Sequence, residues 1–159
     1  MKPIKQTKFG PVEGNCFHAC IASMLEVPIG EVSIDNDPNS DVWFQSLQDY
    51  LKPKNLFFLE VRLDVSKNYP LYAMDGVLCL MSGKSPREFE GRDGVNHCVV
   101  GVINSNPSDN KPVIFEMLHD PHPDNLGLKS GTLWGLGFIM ALDPSKPVDK
   151  AALKKAGGV

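Results

Sequence analysis

Apolar and small side chains occupy nearly every position of CFHACIASML, residues 16 to 25, a run of good helix formers without Gly or Pro that ends before Pro28. The pattern predicts a largely buried helix. Gly14-Asn15 marks its loop-to-helix junction, Asn15 is the residue type of an N-cap, and Cys16 falls in the first helical turn. A second helix is expected over 41 to 51, where Val42, Phe44, Leu47 and Leu51 recur at near-helical spacing behind Ser40 or Asp41, with Pro53 as its stop. Beyond Pro53 the character turns to β: LFFLEVRL at 56–63, GVLCLMS at 76–82, NHCVVGVIN at 96–104, PVIFEML at 112–118 and GTLWGLGFIMAL at 131–142. The turn-rich NSNPSDNK predicts that the strands at 96–104 and 112–118 form an antiparallel hairpin.

Helices first and strands after predict an α+β fold, and 159 residues suffice for one domain burying about two-thirds of its unfolded surface. The expected division is a folded domain over 1–142 and an exposed tail over 143–159, a short helix and a frayed end. GKSPREFEGRDG at 83–94 reads as a polar loop ending beside His97, where a substrate gate would be useful. A net charge of -3, pI ≈ 5.8 and scattered lysines argue against nucleic acid as a partner. The polar N-terminus lacks the apolar core of a signal peptide and no apolar run approaches membrane-spanning length, so a cytoplasmic protein with no membrane partner is expected. The four cysteines, 16, 20, 79 and 98, are then expected to be reduced.

A cysteine in the first turn of a helix has unpaired backbone N–H groups and the positive end of the helix dipole beside it, which favour the thiolate and can receive an oxyanion. Cys16 is therefore the candidate nucleophile, while Cys20, Cys79 and Cys98 read as packing residues in apolar runs. His97 opens a strand and is the candidate base. Asp120 closes the following strand in LHDPHP; in a hairpin the outer ends meet, so Asp120 would hold one ring nitrogen of His97 and leave the other for the thiol. Asp120 before Pro121 is equally a turn residue, and the two roles are compatible. Cys16, His18, Cys20, His119, Asp120 and His122 are also metal-ligand types, but CxHxC is not the CxxC knuckle of structural zinc, and no metal is expected.

With GNCFHACIASML, NHCVVG and HDPHP in that order, the chain resembles papain-like cysteine peptidases, most closely the small bacterial and phage members akin to bacteriocin-processing peptidase domains. The resemblance covers roughly residues 4 to 142 and implies an N-terminal helix carrying the nucleophile, packed on an antiparallel β-sheet. It also implies an oxyanion hole with a glutamine donor. Gln6 is the one upstream candidate, farther from Cys16 than usual, with Asn15 or backbone N–H groups as replacements. EGNCF further resembles the DGNC motif of ovarian-tumour-type deubiquitinases, with Glu13 in place of the aspartate.

The expected function is a cysteine hydrolase, a peptidase, isopeptidase or amidase, that forms a thioester with a peptide or amide substrate and needs no cofactor. Two alternatives stand beside it: an acyltransferase of transglutaminase type using the same residues, and an inactive papain-like binding module presenting Trp43, Phe44 or the 83–94 loop.

Overall fold

The computed structural model describes residues 1–35, 42–64, 74–89, 91, 94–104 and 114–148. Helix α1 spans Cys16–Leu25, the bounds expected from its composition. It ends where Glu26 takes a left-handed conformation (φ 61°) and returns its backbone N–H to Ala22. At the other end Asn15 occupies the N-cap position but makes no side-chain cap; its Oδ1 accepts instead from the backbone N–H groups of Thr7 and Lys8, both at 3.0 Å. Asn15 thus ties the N-terminal segment to the start of α1. The same approach explains Gly14, where a Cβ would lie 2.3 Å from the carbonyl oxygen of Gly10.

Helix α2 spans Val42–Leu51. The α-helix ends ahead of Pro53, as expected. A 3-10 turn over Lys52–Lys54 follows, because a proline in a first turn forfeits no hydrogen bond, and Asn55 at φ 57° makes the break.

Five strands follow among the described residues: β1 Leu56–Arg62, β2 Leu78–Lys84, β3 Asn96–Asn104, β4 Ile114–His119 and β5 Gly135–Ala141. They form one sheet in the order β1-β5-β2-β3-β4, antiparallel throughout, so the fold is α+β. The pairing of β3 with β4 is the one the turn-rich linker implied; the linker's centre lies outside the described residues. The helix expected in the tail also lies outside them. Strand β5 starts at Gly135, not at residue 131, because Thr132 closes a turn on Lys129 and the chain enters the sheet only once Trp134 N–H has bonded to Ser82.

The helices cover one face of the sheet, where Cys20, Ile21, Leu47 and Leu51 pack on Phe58, Leu80 and Val100. Cys79, Met81, Val99, Ile103, Leu136 and Phe138 form a second apolar layer. Both layers follow from strand alternation, with each fully buried Leu, Ile or Phe contributing about 1.5–3 kcal/mol. None of the helices among the described residues is long and apolar enough to cross a membrane.

Candidate active site

Cys16 is the first residue of α1, and α1 packs on β3, whose second residue is His97. Asp120 directly follows β4. The hairpin carries a bulge: Val100 pairs with His119 and Gly101 with Met117, so β4 has one residue more than β3 at this point. The strand ends converge as expected. His97 donates from Nε2 to Asp120 Oδ1 at 2.8 Å, with both residues buried. The other ring nitrogen, Nδ1, is left for the Cys16 thiol, with which the ring is also hydrogen-bonded.

Asp120 is fully buried and accepts from every side. Oδ1 also receives His122 N–H at 2.8 Å; Oδ2 receives Arg87 Nη2 at 2.8 Å and Gly127 N–H at 2.7 Å. Burial opposes its ionisation, but the bonds from His97, Arg87, His122 and Gly127 outweigh it and hold the carboxyl well below the usual carboxylate range. Arg87 also grips Asp124, which accepts from His122 Nδ1 at 2.7 Å. Lys5 Nζ reaches the Asp120 backbone oxygen at 2.9 Å.

The Cys16 thiol is driven well below its ordinary pKa, first by a hydrogen bond from the Cys98 thiol, against burial, then by the hydrogen bond and charge of His97. Burial disfavours the charged His97 ring, yet its bonds to Asp120 and Cys16 raise it to about 9. Cysteine lowered and histidine raised both favour the thiolate–imidazolium form of the pair.

Cys98 packs against the core as expected, and the structure adds a contact with the candidate nucleophile. Its thiol faces Cys16, lies 3.6 Å from Ser82 Oγ and is pushed well above the usual thiol range by Cys16, then by burial. Of two adjoining thiols Cys16 takes the charge, because it alone also has the helix terminus and the imidazolium. Cys98 immediately follows His97 on β3, where side chains alternate faces, so nothing local pointed to a shared site. Cys20 and Cys79 do sit in the core; burial is the main cause raising both, Cys79 to about 12. Arg87 was missed as well: within the expected polar loop, nothing separates it from Lys84 or Arg92.

Gln6 is buried, bonded through its backbone N–H to Pro121 and through Nε2 to the Lys8 carbonyl at 2.9 Å; its Oε1 is buried without a partner. Asn15 Nδ2 donates to Thr7 Oγ1 at 3.0 Å. Both side chains are thus bonded within the N-terminal segment. The histidines of the metal alternative are dispersed: His18 bonds to Ile34, His119 to Ile4 and His122 to Asp124.

Cys16 and Cys98 open onto a cleft of about 530 Å³ whose lining includes Ser82, Trp43, Trp134 and Glu60. Its size fits a short peptide segment or another small acyl compound. No protein-family model, curated protein or solved structure matches this chain. The functional reading therefore rests on the residues themselves.

Proposed function

We propose that this chain is a cysteine hydrolase of papain-like type, acting on peptide, isopeptide or other amide bonds. The observation that carries the reading is the line from the α1 terminus through His97 to Asp120, in which the carboxylate engages Nε2 at 2.8 Å and leaves Nδ1 for the thiol. In the mechanism, the Cys16 thiolate attacks the carbonyl carbon, and the carbonyl oxygen becomes an oxyanion facing the N–H groups of the first helical turn. The His97 imidazolium passes its Nδ1 proton to the leaving amine as the C–N bond breaks, giving a thioester on Cys16. Neutral His97 then takes a proton from water, the hydroxide adds to the thioester carbonyl, and collapse releases the acid and the thiolate. Asp120 keeps its negative charge, stabilising the imidazolium and holding the ring in orientation.

The test is the rate of iodoacetamide alkylation at pH 7, located by peptide mapping. In the wild type Cys16 is expected to react ahead of Cys20, Cys79 and Cys98. In His97→Ala the Cys16 rate is expected to fall severalfold, because the hydrogen bond and charge of the imidazolium are lost while the Cys98 bond and the helix terminus remain. Indiscriminate alkylation, or indifference to His97, would sink the proposal.

A further inference from the structure

Glu60 lines the same cleft and has no part in the chemistry above. Two rows of side-chain positions cross the helix-facing side of the sheet. One runs Cys98, Ser82, Gly135, Arg62, and the next runs Val100, Leu80, Gly137, Glu60. Strand β5 contributes a glycine to each row, so it places no side chain between β2 and β1 there. At Gly137 the gap is filled by the Phe58 ring, whose Cζ lies 2.2 Å from where a Cβ would stand. Gly135 is itself buried, and a Cβ there would make ordinary contacts, 3.6 Å from Ser82 Cβ and 3.8 Å from Glu60 Oε1.

The Glu60 carboxylate therefore leans over Gly135, with Ser82 and the two active-site thiols on the other side. The Cys98 and Arg62 backbones are three strand spacings apart, about 14 Å. Cys16 and Glu60 line one cleft, so a long side chain on an acyl group at Cys16 runs toward Glu60. The walls are aromatic, with Trp43 and Trp134 lining the same cleft. The chain's own Arg62 shows which chemistry suits the place: its guanidinium stands 5.7 Å from the Trp134 ring centre, and its Nε is 3.9 Å from Glu60 Oε1. That ion pair is at the limit of contact, and the Arg62 side chain is 80% exposed against 24% for Glu60, so it binds Glu60 weakly. Lys84, another cation of the cleft, lies two residues beyond Ser82 on β2 and donates to Asn96 Oδ1 at 3.0 Å, while Asp35 adds a second carboxylate to the lining.

We infer that the cleft selects acyl donors with a lysine-like or arginine-like side chain, the aliphatic stem lying between Ser82 and Trp134 and the cation seated on Glu60. This rests on Cys16 being the nucleophile.

The experiment compares chloromethyl ketones of acetyl-lysine, acetyl-norleucine and acetyl-glutamate, which alkylate a thiolate with loss of chloride, by their second-order rates of Cys16 labelling. The lysyl probe is expected to exceed the norleucyl probe by about tenfold, the order of one well-placed charge contact, and the glutamyl probe by more. Glu60→Gln is expected to remove most of the lysyl preference. Equal lysyl and norleucyl rates, or a preference that survives Glu60→Gln, would overturn the inference while selective iodoacetamide labelling of Cys16 still stood. Loss of that selective labelling would remove the nucleophile and the subsite with it.

Discussion

Replacing Asp120 by Asn changes one atom of the site and tests most of the reasoning about it. The carboxylate accepts from four donors: His97 Nε2 and His122 N–H on Oδ1, Arg87 Nη2 and Gly127 N–H on Oδ2. Asparagine keeps one acceptor oxygen, so its NH2 group must face one of those donor pairs, and the Arg87 and His97 cations lose their counter-charge. Breaking a buried charge pair by removing one partner costs about 3–5 kcal/mol, a large share of a typical net stability of about 5–15 kcal/mol. At a urea slope of about 2 kcal/mol/M this lowers the midpoint by about 2 M, followed by the fluorescence of Trp43 and Trp134. The effect has a defined pH dependence. A carboxyl whose folded pKa is depressed stabilises above its unfolded value of about 3.9, and that stabilisation is lost as pH falls through the folded value. The gap between wild type and Asp120→Asn should thus be full at pH 6 and narrow steadily below pH 4. His97 loses a main support of its charge, so Cys16 alkylation at pH 7 should slow as well. A midpoint shift under about 0.5 M with alkylation unchanged would refute the account of Asp120 as the buried anchor of the site.

Arg87→Ala leaves Asp120 with three of its four donors and is expected to cost about 1.5–3 kcal/mol in urea unfolding, with Arg87→Lys recovering little because one ammonium does not span Asp120 and Asp124 as the guanidinium does. Turnover of an amide substrate is expected to decline as pH rises through about 9, where His97 loses the proton it gives to the leaving amine; a plateau continuing well above that pH in a kcat/KM profile would contradict this role. Gly137→Ala places a methyl 2.2 Å from Phe58 Cζ and is expected to destabilise by about 1–3 kcal/mol, an effect that Phe58→Leu in the same chain should largely relieve in a double-mutant cycle.

Local pattern determined a good deal of this molecule. The bounds of α1, the five strands to within a few residues and the pairing of β3 with β4 follow from periodicity, helix propensity and turn residues, all interactions between near neighbours in the chain. The juxtaposition of His97 and Asp120 was legible for the same reason, since a hairpin brings its own ends together. Other features were settled only in the tertiary structure. The last strand, β5, enters between β1 and β2, a placement governed by which faces must be buried together rather than by any local signal. Cys98 looks like any strand cysteine until α1 is docked and sets Cys16 against it. Arg87 joins Asp120 across 33 residues, and Glu60 reaches the cleft from β1, three strands away from β3 in the sheet. Side-chain partners so distant in sequence leave no periodicity to read, because their meeting depends on how the layers pack.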